Sequence, residues 1–398
     1  MKKKIISIMS GTSLDGIDIL LGEIEEAGLK TKVEVIFSKT YMFEKRLKER
    51  IQIAISNETS TSKLLCSLNF EIAKAFSECI LNFCEIYKIN LEEIDYIVSH
   101  GQTIYHIPFP ERDYVASTLQ LGDGSALANL IGVPVISNFR TADMALGGQG
   151  APLVTYPHYI LLSNNKKTRA IQNIGGISNV TVLPKNGKIK DIISFDNGPG
   201  NMMMNRAMKK LFNKEYDKDG LISAKGALII PMFKDILKNS YFHKSPPKTT
   251  GRELFGDQYT DKLLEKYSDF KDADIITTLT HVTAFSIVKS YRDFVCKKYQ
   301  IDEVVLTGGG SKNNTLVELI KFYLKGIEVS LVEDLGYSSD YLEALCFLII
   351  GNETLNNNPS NVPNATGAKG FAILGQISPV LRKRWRDEIY FCLWWWRN

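Results

Sequence analysis

The sequence predicts an α/β protein built as two similar halves, and three observations carry that prediction. An apolar run, a turn of glycine, serine, threonine and aspartate, and a second apolar run open the chain at residues 5–21, and the pattern returns at residues 170–183. Short apolar runs at residues 96–99, 133–137 and 304–307 alternate with long helical periodicities, as in sheets whose strands are joined by helices. The 398 residues also exceed one ordinary core, against a prior of ~150 residues per domain.

Composition excludes several classes. A hydrophobic content of 44 % beside 23 % charged residues is that of a globular chain, not a disordered or fibrous one. The net charge of +4 is a small excess spread along the sequence, so neither nucleic acid nor an anionic membrane is an expected partner. Six cysteines without a Cys-x-x-Cys pair fit a reducing cytoplasm. No stretch approaches the ~20 apolar residues of a membrane span, so a soluble, cytoplasmic protein is expected.

Taken in order, residues 5–9 and 17–21 read as strands of a hairpin whose turn carries Gly11, Thr12, Ser13, Leu14, Asp15 and Gly16. Backbone N–H groups beside small hydroxyls suit phosphate oxygens. Residues 63–87 are a helix, with Leu64, Leu68, Ile72, Phe76 and Ile80 on one stripe. The strand 96–99 then delivers His100, Gly101, Gln102 and Thr103 to a loop, where His100 and His106 read as ordinary loop histidines without a third metal ligand. After a helix at 125–131 and a strand at 133–137, Arg140 stands at the mouth of the glycine and proline stretch 147–152, the expected crossing between halves. Its guanidinium could clamp an anion, although a surface ion pair is the simpler reading of spacing alone.

The second hairpin turns at Gly175 and Gly176, and a repeated phosphate-type turn is more specific than a single one. Asp196 follows at a strand-to-helix corner, because Gly198, Pro199 and Gly200 end the strand and Asn201 is placed to cap a helix at 202–212. An Asx-turn aspartate is the bland alternative. Residues 278–295 read as a long amphipathic helix. The strand 304–307 stops at Gly308, Gly309 and Gly310 before a helix at 315–324, a geometry that admits a base or phosphate to the backbone. Asp340 and Glu343 fit a capping box, and residues 367–373 a small-residue helix. The tail 379–398, with Trp394, Trp395 and Trp396, is atypical.

No Walker A, protein-kinase or His-Glu-x-x-His signature is present. Paired glycine hairpins, an intervening carboxylate and a late glycine-rich turn resemble the actin, heat-shock-chaperone and sugar-kinase superfamily. The combination of Met9 to Asp18, His100-Gly101-Gln102-Thr103, Gly147 to Pro152, Asn173 to Asn179 and Asp196 to Asn201 resembles, more narrowly, the anhydro-N-acetylmuramic acid kinase family, from about residue 5 to about residue 375.

That resemblance implies a two-domain actin-like ATPase (ribonuclease H-like) fold with a cleft between duplicated halves. The expected halves are residues 1–140, completed by a C-terminal helix near 365–378, and residues 141–364. The implied reaction joins 1,6-anhydro-N-acetylmuramic acid, water and ATP to give N-acetylmuramic acid 6-phosphate and ADP in peptidoglycan recycling. By resemblance Asp196 is the general base. Gly11, Thr12, Ser13, Leu14, Asp15, Gly16, Ile17, Asp18, Gly175, Gly176, Asn201, Gly308, Gly309 and Gly310 meet ATP, and Arg140 and Glu343 meet the sugar. Mg²⁺ is expected with ATP, its ligands open between Asp15 and Asp18, and a homodimer is implied. Another sugar or acyl-phosphate kinase, or an ATP-switched binding module, are the alternatives.

Overall fold

The structure is a computed structural model that describes residues 2–12, 14 and 16–381. Ser13, Asp15 and the tail from residue 382, tryptophans included, lie outside the described residues. The described strands are β1 (Lys3–Ser10), β2 (Ile17–Glu25), β3 (Lys32–Tyr41), β4 (Tyr96–Ile107), β5 (Ser117–Leu121), β6 (Val135–Ser137), β7 (Arg169–Ile174), β8 (Ile177–Leu183), β9 (Ile193–Pro199), β10 (Glu303–Thr307), β11 (Glu328–Leu331) and β12 (Gln376–Ser378). The chain divides into two compact units: Leu161–Asp340 forms one, and the residues before and after it form the other.

In the first unit the sheet runs β12-β6-β4-β1-β2-β3, with β5 added to β4. β1, β2 and β3 are antiparallel, whereas β4 is parallel to β1 and β6 is parallel to β4. The second unit runs β11-β10-β7-β8-β9, with β7, β8 and β9 antiparallel and β10 and β11 parallel to β7. Without β5 and β12 the two orders are identical, strand for strand. Each unit is therefore one copy of the ribonuclease H-like sheet, and the chain is a two-domain actin-like fold.

The sequence dictates the covering of each sheet. In β1, Ile5, Ile6 and Ile8 are fully buried on alternating faces, which requires a layer on both sides. The helix Ser62–Tyr87 supplies one through Leu68, Ile72, Phe76 and Ile80, and its first turn is capped by Thr61, which accepts from Leu64 N–H. The helix Leu342–Leu355 packs on β1, β2 and β4, and Gly351 lets it come close: a Cβ there would lie 2.3 Å from a Val98 methyl. In the second unit the helix Asp272–Ser290 is buried nearly all round rather than amphipathic. Thr277, Thr278 and Thr280 make this possible by donating to carbonyls four residues back, at 2.8, 2.7 and 2.9 Å.

The units part after Ile160, beyond the glycine-rich stretch at which the sequence placed the crossing. Asp143, fully buried, explains why that stretch stays with the first unit. It accepts from Gly150 N–H (2.8 Å), the Asn361 side-chain amide (2.8 Å) and the Thr366 hydroxyl (2.7 Å), sewing two remote segments together. The chain returns to that unit at Tyr341. The helix expected near 365–378 is corrected: one short turn, Pro363–Thr366, stops at Gly367 in the left-handed region (φ 80), and the segment ends as β12, antiparallel to β6.

Candidate active site

Asp196 lies within β9, opposite Asn179, and not at a strand-to-helix corner. The reason is that β9 is an edge strand, and an unpaired edge seeks a partner. Here the partner is the strap Lys248 to Thr250. Asp196 N–H donates to the Lys248 carbonyl (3.1 Å), and the Asp196 carbonyl accepts from the Tyr241 hydroxyl (2.9 Å). One carboxylate oxygen, Oδ2, accepts from the Thr249 hydroxyl (2.8 Å) and Thr250 N–H (2.9 Å). Burial pushes the carboxyl up to about 6, and Glu253 pushes the same way; the two donors and Lys248 oppose them. The result is a carboxylate poised near neutrality, where a general base is most effective.

Around Asn201 the second unit gathers a glycine cradle. The Gly175 carbonyl accepts from Asn201 N–H (2.7 Å), and the Gly176 carbonyl from the N–H groups of Gly200 (2.9 Å) and Met202 (3.1 Å). Asn201 does not cap the helix Met202–Phe212: its side-chain amide instead donates to the Ile174 carbonyl (3.2 Å). Gly308 and Gly310 are required by packing, since a Cβ would lie 2.4 Å from Asn173 Oδ1 at the first and 2.3 Å from an Ile174 methyl at the second. Gly308 is also left-handed (φ 81). Of the three, Gly309 alone is exposed, and a Cβ there would make only an ordinary contact with the Asn201 amide at 3.7 Å.

In the first unit, Arg140 is held by neutral acceptors. Its Nε (3.0 Å) and Nη2 (2.8 Å) reach His100 Nε2, and its Nη1 donates to the Gly150 carbonyl (2.7 Å). Glu343, on the helix Leu342–Leu355, acts on it through space. The capping box expected of Asp340 and Glu343 does not form, because Asp340 pairs with Lys312 and Tyr341 occupies the cap position. His100 is inside β4 rather than on a loop, and buried. Its Nδ1 faces the Gly101 carbonyl (2.8 Å), which makes Nδ1 the protonated nitrogen and Nε2 the acceptor. Burial and the Arg140 charge hold its pKa down to about 3, so His100 stays a neutral imidazole at neutral pH and orients Arg140 through its unprotonated Nε2.

The first turn is only partly open to a ligand. Leu14 and Ile17 are buried in the core, and Gly16 faces β3, where a Cβ would meet a Thr40 methyl at 2.5 Å. Asp18 accepts from the Thr40 hydroxyl (2.6 Å). Gly11 and Thr12 remain at the surface of the turn, and Gln102 steadies it by donating to the Gly11 carbonyl (3.3 Å) while accepting from the Ser10 hydroxyl (2.5 Å). Ser13 and Asp15 lie outside the described residues.

Comparison with known proteins decides the family. The model of the family described as anhydro-N-acetylmuramic acid kinase matches residues 3–380. The chain belongs to the anhydro-N-acetylmuramic acid kinase family. Relatives bearing that name include one from Francisella tularensis subsp. novicida, 48 % identical over 94 % of this chain and 98 % of its own length. Another, from Clostridioides difficile, is 45 % identical over 94 % and 98 %. Among solved structures, the activator of a 2-hydroxyisocaproyl-CoA dehydratase from Clostridium difficile, with bound ADPNP, covers 89 % of this chain at 13 % identity and a TM-score of 0.44, a likeness too distant to build on.

Membership makes the chain an enzyme, a kinase. Among the described residues no group of three His, Cys, Asp or Glu side chains could hold a metal by itself, and no helix is long and apolar enough to cross a membrane. For this kinase the sequence pointed to Arg140 and Asp196 but not to the groups that hold them. His100 was read as an ordinary loop histidine although it stands in the His100-Gly101-Gln102-Thr103 motif, and the strap Lys248 to Thr250 was missed, its only signal being polar residues of unexplained role.

Proposed function

We propose that the chain phosphorylates 1,6-anhydro-N-acetylmuramic acid with ATP while water opens the anhydro bridge, giving N-acetylmuramic acid 6-phosphate and ADP. The observation that carries this reading is the Asp196 carboxyl, lifted to about 6 by burial and with one oxygen fixed by two donors. Such a carboxylate takes the proton of a water that attacks the anomeric carbon. The bond from that carbon to O6 breaks, and O6 attacks the γ-phosphorus as ADP leaves. Arg140, whose bonded acceptors are neutral, retains positive charge to pair with the sugar's carboxylate, and Glu343 accepts from sugar hydroxyls. Gly11, Thr12 and Asp18 of the first turn, with Gly175, Gly176, Asn201 and Gly308 to Gly310, serve ATP. On this reading the nucleoside approaches the backbone at the exposed Gly309.

ATP brings Mg²⁺, which neutralises phosphate charge and draws most of its ligands from phosphate oxygens and water. Asp18, at the start of β2, is the described carboxylate beside the first turn that would hold it, with Asp15 of the turn as the alternative. The setting we propose is peptidoglycan recycling in the cytoplasm, by a homodimer. The test is incubation with ATP and the anhydro sugar in ¹⁸O-water. Label at the anomeric hydroxyl of the phosphorylated product is expected; phosphorylated product without label would instead indicate a sugar kinase acting without hydrolysis.

A further inference from the structure

Lys248 is the least expected charge in the second unit. Its residue is 7 % exposed, yet among the described residues its Nζ meets no carboxylate at bonding distance. It donates to the Tyr241 carbonyl at 3.3 Å and stands over three rings, Tyr241 at 4.7 Å, Phe294 at 5.0 Å and Phe195 at 6.0 Å. Cation–π attraction within ~6 Å of a ring is strongest where water is excluded, as here. Phe294 packs on Phe195 at 6.2 Å, and the other parts of the cage adjoin the base. Phe195 precedes Asp196, the Tyr241 hydroxyl holds the Asp196 carbonyl, and the Lys248 carbonyl holds Asp196 N–H. Residues 249 and 250, which fix Oδ2, follow Lys248 directly.

We propose that Lys248 is the positioning residue of the base: its caged ammonium pins the strap along β9, so that Thr249 and Thr250 hold one oxygen of Asp196 and leave the other for the attacking water. This rests on the reading of Asp196 as the base. Among the described residues nothing donates to Oδ1, so the division between a held and a working oxygen is built in. The ammonium must be charged to do this. Burial, Lys289 and Lys244 push its pKa down to about 8, while Asp196 and Asp293 pull it back, Asp293 being itself paired with Lys289 at 2.5 Å. Around Asp196 itself, Glu253 disfavours ionisation and Lys248 favours it. Activity therefore has an acid limb near 6, from Asp196, and an alkaline limb near 8, where the strap loses its pin.

The experiment is the pH profile of kcat/KM for the anhydro sugar at saturating ATP, with thermal unfolding of every variant. Lys248→Arg keeps a cation that does not titrate, so the alkaline limb should vanish while activity at neutral pH stays within about tenfold. Lys248→Met should lose tenfold or more in kcat, with the KM for ATP within about twofold and the acid limb moved upward. Thr249→Val, at an exposed site, should move the acid limb the same way without lowering Tm. An alkaline limb unchanged in Lys248→Arg, or a folded Lys248→Met with the wild-type profile, overturns the proposal. If Lys248→Met does not fold, an acid limb unmoved in Thr249→Val does so. Failure of the base assignment is separate: Asp196→Asn would then keep both activity and the acid limb.

Discussion

Asp196 and Arg140 are two half-buried charges, each bonded to neutral partners, to which the proposed function gives opposite uses. Asp196 has neutral donors on one oxygen and a pKa moved to about 6, so its charge is negotiable near neutral pH. Arg140 has neutral acceptors, His100 and Gly150, and although burial lowers its pKa, a guanidinium starts so high that it stays charged. Neutral partners satisfy the bonding geometry of both groups, while opposite charges, Glu343 toward Arg140 and Lys248 toward Asp196, act on them through space. On the proposed reading, the second unit holds the proton acceptor and the first the anchor.

The sharpest break of that contrast is at the acceptor. Asp196→Asn keeps the shape and the strap bonds but cannot take a proton, so kcat should fall by ~10²–10⁴ while nucleotide titration shows unchanged ATP binding. Activity within a few-fold of wild type would put both groups in the anchoring class. At the anchor, Arg140→Lys keeps the charge but loses the fork that bonds His100 and Gly150 together. We expect the KM for the sugar to rise by about tenfold or more, kcat to change less, and the acid limb to stay in place, as steady-state kinetics across pH would show. A shifted limb would mean that Arg140 also takes part in proton transfer.

The smallest effect is on stability, and its sign follows from the raised pKa. The folded state binds the Asp196 proton more tightly than the unfolded chain does, so stability is lost as pH rises from about 4 through about 6 and remains lost above. Two pKa units set a ceiling of about 3 kcal/mol. Asp196→Asn should therefore raise Tm at about pH 7.5 and give no gain at about pH 4, measured by thermal unfolding. A variant less stable at both pH values would mean that the carboxylate is structural rather than strained.

How far the sequence could reach follows from the range of the forces involved. Both hairpins, the repeat and the helix Ser62–Tyr87 were legible because they depend on local periodicity and glycine turns. Asp196 and Arg140 were legible as residue types at motif positions. His100 was not, because its role depends on an arginine 40 positions away, and the Asp196 strap lies 53 and 54 positions downstream. Periodicity also misled at the helix Asp272–Ser290, where threonines that satisfy their own hydroxyls imitate a polar face. Asn201 was read as a helix cap because the side chain that caps and the side chain that ties two loops have the same chemistry.

The division of the chain also sets an order of assembly. The helix Leu342–Leu355 that covers β1 reaches it across most of the sequence: Lys3 Nζ donates to Asn352 Oδ1 at 3.0 Å, 349 positions apart, and Gly28 N–H to Glu353 at 2.8 Å. The second unit is continuous from Leu161 to Asp340, so its whole sequence has left the ribosome while the first unit still lacks that helix and β12. The unit that holds β1 is the one that must wait, with one apolar face of that strand uncovered until the helix Leu342–Leu355 has been made. Closing that face spans some of the longest sequence separations in the molecule, and such contacts form slowly, which is the consequence of inserting one copy of the fold inside the other.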